Sequence, residues 1–238
     1  MAPINENVCV TCGERLGLQL VAKNEIRDNN RCAACLSAEP AFQKAAAYGS
    51  YAGGLRDLIH LLKYEHVRPA ATVLGRMLSE VIAGLAESFD SSGPVVVPVP
   101  LHSRKMRERG FNQSELIART ALKLKPAGLE LVLKPEILLR RRATESQTRL
   151  SREQRQRNMR GAFAVVRPDE VHNREVLLVD DVLTTGTTAS ECARLLRRAG
   201  ATRVWVATVA RTLKAEAVWA THDFNEEDDL LVSRAAHA

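Results

Sequence analysis

The chain has 238 residues, which is enough for one full domain of about 100–200 residues and a smaller unit. Apolar residues make up 45% and charged residues 26%, a balance that excludes wholesale disorder, and the formal net charge is +6. No apolar run reaches the ~18 residues of a membrane helix, and the first residues resemble no secretory signal. We therefore expect a cytoplasmic protein without membrane insertion.

The first predicted unit, residues 1–40, contains two cysteine pairs. Cys9 and Cys12 form one Cys-x2-Cys pair, and Cys32 and Cys35 form a second after 19 intervening residues. This spacing is typical of a four-thiolate zinc site, although two disulfides are an alternative that a reducing compartment disfavours. We expect a structural Zn²⁺ module, because four thiolates leave no position for a reacting water. Cys192 instead has helical spacing to apolar residues and is expected in the core.

Residues 41–215 have the pattern of one α/β domain. Apolar residues at helical spacing, capping residues and a terminal glycine predict helices, and continuous apolar runs predict buried strands. The predicted helices span residues 55–63, 73–85 and 112–124, with a later one that ends at 199–200. The predicted strands span residues 95–97, 136–142, 176–179 and 203–210. Alternating strands and helices predict a doubly wound parallel sheet.

Positive charge is concentrated in residues 140–160, which contain eight arginines and two glutamates. Ser151 and Gln154 match a capping box, which predicts a short arginine-rich helix. Guanidinium groups fit phosphate oxygens, so this cluster indicates phosphate in a metabolite or a nucleic acid. A solvated helix face is the alternative. Residues 216–238 form a predicted tail, whose last 18 residues hold five acids and one arginine.

The most informative segment is residues 176–188, VLLVDDVLTTGTT, in which an apolar strand leads to Asp180 and Asp181. Two carboxylates suit a diol and help to hold Mg²⁺ directly or through water. The turn that follows offers backbone N–H groups, hydroxyls and a helix N-terminus to one phosphate group. A purely structural aspartate pair is the alternative. The turn consists of Thr184, Thr185, Gly186, Thr187 and Thr188.

This segment resembles the phosphoribosyl-pyrophosphate motif of type I phosphoribosyltransferases. Together with the four cysteines, the segments YAGGLRDLIHLLKYEH and VVPVPLHSRKMRERGFNQSELIA resemble the ComF family of that superfamily over about residues 9–210. The resemblance implies a type I phosphoribosyltransferase-like fold. It also implies binding of phosphoribosyl pyrophosphate with Mg²⁺ and transfer of the phosphoribosyl group to an unidentified acceptor.

The resemblance also implies roles for individual residues. Asp180 and Asp181 match the acids that hold the ribose hydroxyls and form the expected catalytic pair, while residues 184–188 match the loop around the 5′-phosphate. Residues 147–160 take the place of a flexible loop that closes over the site. The matching pyrophosphate loop and its nearby cations are Pro98, Val99, Pro100, Leu101, His102, Arg104, Lys105, Arg107 and Arg109.

Two functions remain open at this point. One is a phosphoribosyltransferase enzyme. The other is a non-enzymatic accessory module for competence and DNA uptake, whose zinc unit and arginine-rich segment bind single-stranded DNA or a helicase partner. Residues 140–160 contain no aromatic residue, which disfavours an independent single-strand binder. We therefore expect the enzyme.

Overall fold

A four-stranded parallel sheet forms the centre of the computed structural model, which describes residues 8–16, 30–143 and 158–213. Its strand order is β1–β6–β5–β2, and the predicted doubly wound parallel sheet is confirmed. A separate antiparallel pair joins β3 to β4. The strands are β1 (Lys44–Ser50), β2 (Val95–Pro98), β3 (Leu138–Arg140), β4 (Phe163–Val165), β5 (Glu175–Leu183) and β6 (Arg203–Arg211).

Helices cover both faces of the sheet. The described helices are α1 (Ala33–Ser37), α2 (Gly53–Lys63), α3 (Ala70–Leu85), α4 (Ser103–Arg109), α5 (Gln113–Leu122) and α6 (Thr187–Arg198). Leu177 and Val179 of β5 pack under α2, α3 and α5, whereas Val176 and Leu178 pack with α6 and the cysteines. The two clusters follow from the alternation of side chains along a strand. Among the described residues, no helix is long and apolar enough to cross a membrane.

Several element bounds differ from the predicted ones. Strand β5 continues through both aspartates to Leu183, because its backbone stays paired with β6 as far as Arg211. Helix α5 ends at Leu122. Shortly after it, Lys125 has a φ of 47° and precedes a proline, which disfavours helical conformation at this residue. The predicted strand at 136–142 shrinks to β3. The predicted helix at Ser151, most of the arginine-rich segment and the acidic tail lie outside the described residues.

The carboxyl ends of the four parallel strands lie at one edge of the sheet. The chain leaves this edge after Ser50, Pro98, Leu183 and Arg211. In open α/β sheets this is the edge at which ligands bind. Both predicted site segments, the turn at 184–188 and the loop at 98–102, follow strands that end here. The edge therefore positions the candidate site.

Candidate functional site

The acid pair lies in the last four residues of β5. Asp181 forms a buried ion pair with Lys63, the last residue of α2, and the two side chains are 6% and 17% exposed. Asp180 is half-buried, and its Oδ1 accepts hydrogen bonds from Ser114 Oγ and from the backbone N–H of Asp181, both at 2.9 Å. Two neighbouring carboxyl groups thus have different partners.

The pKa values of the two carboxyl groups move in opposite directions. Burial raises the pKa of Asp180 to about 8, and the charge of Asp181 adds to the shift. Burial also raises the pKa of Asp181, but attraction to Lys63 and hydrogen bonds from Lys63, Asp180 and Gln113 outweigh it, so this pKa lies below its usual value. Burial thus favours the protonated form of Asp180, whereas Lys63 stabilises the ionised form of Asp181.

The N-terminus of α5 joins the acid pair to the predicted pyrophosphate loop. Asn112 caps the helix, with its Oδ1 accepting from the Ser114 N–H at 3.1 Å, and its Nδ2 donates to the Val99 carbonyl at 3.0 Å. Asparagine is a preferred N-cap residue, which is why the helix begins here. One cap thus positions Ser114 beside Asp180 and fixes the loop at Val99.

The predicted cations of the pyrophosphate loop have different surroundings. His102 caps α4, with Nδ1 accepting from the Arg104 N–H at 3.3 Å. Arg109 is buried, donates to Gln113 Oε1 at 2.6 Å, and lies with its guanidinium carbon 5.7 Å from the Tyr64 ring centre. The other predicted residues range from Pro100, which is buried, through Leu101, which is half-buried, to Arg104, Lys105 and Arg107, which are exposed.

The predicted phosphate turn connects β5 to α6. Gly186 occupies the N-cap with a φ of 74°, a left-handed conformation that favours glycine. Thr184 and Thr185 are exposed, and the hydroxyls of Thr185 and Thr187 share a hydrogen bond of 2.9 Å. Thr188 donates to the Met159 sulfur at 3.6 Å, which brings one end of the arginine-rich segment beside the turn. The N–H groups of the first turn of α6 are thus presented at the edge.

A small pocket lies between the end of α2 and α4, the helix that follows the predicted pyrophosphate loop. It is lined by Lys63, Tyr64, His66, Lys105, Glu108 and Arg109. A larger cavity of about 350 Å³ lies near the amino ends of β1 and β6, and its lining includes Arg31, Arg197 and Arg203. Two of these arginines already have carboxylate partners, which are Glu39 for Arg31, and Asp90 and Glu175 for Arg203. The small pocket, which shares Lys63 with the acid pair, belongs to the candidate site.

The four predicted metal ligands come together at the other face of the sheet. The sulfurs of Cys9, Cys12, Cys32 and Cys35 lie within 4.8 Å of one another, and all four residues are buried. None forms a disulfide, so the alternative pairing is not present. A zinc ion with four Zn–S bonds of about 2.3 Å needs sulfurs roughly 3.8 Å apart. The cluster therefore fits a metal such as Zn²⁺.

The thiol pKa values within the cysteine cluster move in different directions. Burial raises the pKa of Cys12 to about 11 and that of Cys35 well above its usual value. Burial raises the pKa of Cys9, but the backbone N–H groups of Cys32, Cys12 and Thr11 outweigh it and lower the pKa to about 7. Arg211, buried at the end of β6, donates to Cys12 Sγ at 3.4 Å and to Glu14 at 2.9 Å. A buried guanidinium thus offsets part of the negative charge that four thiolates place there.

Three residues of these sites were not predicted, namely Lys63, Ser114 and Arg211. Lys63 ends an amphipathic helix, where a cation is usually a partner of the helix dipole. Ser114 lies in the first turn of α5 and Arg211 at the end of a strand, and neither position has a spacing that indicates a ligand. Their partners are distant in sequence, so local pattern carried no signal for them.

Comparison with known proteins gives three findings. Residues 136–229 match the family model described as a phosphoribosyl transferase domain. The chain is 37% identical over 183 residues to DNA utilization protein YhgH of Escherichia coli, covering 76% of this chain and 78% of that protein. It is 31% identical over 205 residues to competence protein F of Haemophilus influenzae, covering 85% and 84%. A solved hypoxanthine phosphoribosyltransferase from Staphylococcus aureus aligns with 14% identity and a TM-score of 0.37, covering 60% of this chain and 69% of that one.

The parallel sheet and the match over residues 136–229 define a type I phosphoribosyltransferase domain, joined here to a cysteine cluster that can hold a metal. The two named relatives each share more than 30% of their aligned residues with this chain over at least three quarters of its length. The chain belongs to the ComF family, with competence protein F and YhgH.

Proposed function

We propose that the protein binds phosphoribosyl pyrophosphate with Mg²⁺ at the carboxyl edge of the sheet and transfers the phosphoribosyl group to an unidentified acceptor. The observation that carries the proposal is the convergence of three groups at this edge. The acid pair lies at the end of β5, the turn at 184–188 follows it, and the loop at 98–102 lies at the end of the neighbouring strand β2. Helix α5 connects the acid pair to this loop through Ser114 and Asn112. Each group suits one part of the donor.

In this proposal each part of the donor has its own partners. The ribose hydroxyls lie at the acid pair, and the 5′-phosphate lies against the backbone N–H groups and hydroxyls that open α6. The pyrophosphate lies toward the small pocket, where Lys63, Lys105 and Arg109 supply positive charge. As the bond from ribose C1 to the pyrophosphate oxygen breaks and the acceptor bonds to C1, these cations stabilise the charge that grows on the departing pyrophosphate.

Magnesium enters this scheme as part of the substrate. Because Asp181 is held by Lys63, the two carboxylates do not form a ready pair of magnesium ligands. Mg²⁺ bound to the pyrophosphate oxygens adds positive charge to the leaving group. The residues of the chain orient the ribose and the two phosphate-bearing ends of the donor. The arginine-rich segment is the proposed cover that excludes water, and its Met159 lies beside the turn.

Calorimetry on two variants tests donor binding. Asp180→Asn combined with Asp181→Asn removes the carboxyl groups and is expected to weaken binding of the Mg²⁺ donor complex about 10- to 100-fold while leaving some affinity for ribose 5-phosphate. Gly186→Val places a branched side chain at a left-handed position beside the phosphate and is expected to abolish binding of both ligands.

Gly128→Val is the matched control for strain, because Gly128 has a φ of 72° with open space around it. This variant should bind both ligands as the parent does. If the aspartate and Gly186 variants stay folded and bind the donor as the parent does, the motif is structural and the proposal is wrong. With donor binding established, release of pyrophosphate in a screen of nitrogenous acceptors identifies the acceptor.

A second candidate function is an accessory role in DNA uptake. It is favoured by the names of the relatives and by an aromatic and basic surface beside the site. Tyr64 is 53% exposed next to Arg109, and the Phe111 ring lies 5.4 Å from the Arg68 guanidinium carbon and 6.2 Å from the His66 ring. Aromatic rings among cations suit single-stranded nucleic acid. Binding of labelled oligothymidylate by parent and Gly186→Val alike, without donor binding by either, would favour this function.

A further inference from the structure

We propose that the two aspartates serve opposite sides of the donor: Asp180 contacts the ribose, whereas Asp181 is the internal anchor of Lys63, whose ammonium serves the pyrophosphate side. This inference rests on the proposed function and deepens it. It assigns a role to Lys63, and it gives different roles to two neighbouring acids that the sequence motif presents as equivalent.

The strand places the two side chains differently. Residues 177 and 179 of β5 pack under α2, α3 and α5, and alternation adds Asp181 to that side of the sheet, where Lys63 ends α2. Asp181 is 4% exposed, so its carboxylate has almost no contact with solvent. A ligand that used Asp181 would have to displace Lys63 and would leave a buried charge without its partner, which is strongly unfavourable.

A chain of contacts leads from Asp181 to the pyrophosphate side. Lys63, the ion-pair partner of Asp181, lines the small pocket together with Arg109. Arg109 donates to Gln113 Oε1 at 2.6 Å, and Gln113 is near enough to Asp181 to help lower the pKa of that carboxyl group. Asp181 therefore holds one cation, Lys63, at the pocket where the leaving group is proposed to lie.

Asp180 has the opposite character. It is half-buried, and among the described residues Lys63 and Arg140 act on it electrostatically without forming an ion pair. Its partners are a hydroxyl, Ser114 Oγ, and a backbone N–H, both on Oδ1. These neutral groups fix the orientation of the carboxyl group. They bind it less strongly than a cation would, so a ribose hydroxyl can compete with them for it. Of the two acids, Asp180 is therefore the one placed to contact the sugar.

A set of variants separates the two roles, with ribose 5-phosphate and magnesium pyrophosphate as separate calorimetric probes. Lys63→Met alone should lower the melting temperature, because Asp181 is left buried and unpaired. Lys63→Met with Asp181→Asn should recover the melting temperature and bind ribose 5-phosphate within about threefold of the parent, but bind pyrophosphate at least tenfold more weakly. Asp180→Asn should show the reverse pattern. Lys123→Met, at an exposed lysine beyond the end of α5, is the control and should match the parent.

The outcomes discriminate clearly. If the double variant loses ribose 5-phosphate as severely as Asp180→Asn, Asp181 contacts the sugar and the division of roles is wrong, although donor binding stands. If the double variant binds both probes as the parent does, Lys63 is only structural and the inference is again wrong. If the folded parent binds neither probe nor the donor, the proposed function itself fails and this inference fails with it.

Discussion

At the scale of single residues, one strand position changes the chemistry of a carboxyl group. Asp180 and Asp181 share a backbone and a motif, yet only Asp181 lies against an ammonium group. The result is one carboxyl group whose pKa is raised to about 8 beside one whose pKa lies below its usual value. Burial raises a carboxyl pKa unless an opposite charge compensates, and the charge of Lys63 outweighs burial at Asp181 but not at Asp180.

This difference predicts how stability depends on pH. Between the usual pKa of 3.8 and the folded value of about 8, the folded protein binds a proton at Asp180 that the unfolded chain does not. The contribution of this group to the free energy of unfolding therefore falls as pH rises through that window. Urea unfolding from pH 5 to 8 without metal or donor should give a steeper decline for the parent than for Asp180→Asn. The exposed Asp169→Asn should keep the parental slope, and an equal slope in Asp180→Asn would contradict the prediction.

At the scale of elements, the position of α5 decides where Asn112, Gln113 and Ser114 lie, and α3 fixes that position. Gly75 of α3 faces Thr120 of α5 so closely that an added Cβ would lie 2.6 Å from the Thr120 Cβ. The absence of a side chain at Gly75 therefore sets the separation of the two helices. The cap that connects the acid pair to the pyrophosphate loop depends on this contact.

Two glycines of α3 should respond in opposite ways to alanine. Gly75→Ala is expected to lower the free energy of unfolding by about 1–3 kcal/mol, because Thr120 must move. Gly84→Ala, where an added Cβ meets nothing within 4 Å, should raise it by about 0.4–1 kcal/mol by restricting the unfolded chain. Urea denaturation measures both. Equal stabilisation by the two substitutions would show that the helices are not closely packed at Gly75.

The elements also show what sequence can and cannot predict. Apolar spacing located α2, α3 and the strands β2, β5 and β6, because burial of one helix face or of both strand faces leaves a local pattern. Strand β1 was not predicted, because its sequence KAAAYGS has no run of large apolar residues. The four cysteines were found because two turns must present matched pairs. The ion pair of Lys63 with Asp181 and the pairing of β3 with β4 join segments far apart in sequence, and no local pattern encodes such partners. The direction of the Asp180 pKa shift depends on those same contacts.

At the scale of the whole molecule, the cysteine cluster shares a core with the sheet. The four cysteines belong to the same buried cluster as Val176, Leu178 and Cys192, and Arg211 of β6 contacts Cys12. A metal bound by the cysteines would therefore stabilise more than the short segment that holds it. The division of the chain at residue 40 stays a prediction, because the two parts share one apolar interior.

Metal analysis tests this coupling. Protein purified without added metal should contain about one zinc per chain, because a buried site with four sulfurs binds it tightly. Removal by a chelator should lower the melting temperature of the whole protein and make four thiols reactive. Cys192, which is 0% exposed within α6, is the internal control and should stay unreactive in the folded state. A zinc content near zero with four freely reactive thiols in the native protein would contradict the prediction.

The contact between Arg211 and Cys12 spans 199 positions of the chain. Strand β1 lies between the same two regions. It pairs with β6 on one side, and on the other the N–H of Ala45 donates to the Thr11 carbonyl at 2.7 Å. On the ribosome, the cysteine turns and β1 are made before β2, β5 and β6. Metal can fold the turns as soon as they appear, but β1 has no neighbouring strand to pair with until β6 has been made. Among the described strands, β1 is therefore completed by β6, and a nascent chain must keep its apolar residues from aggregating until then.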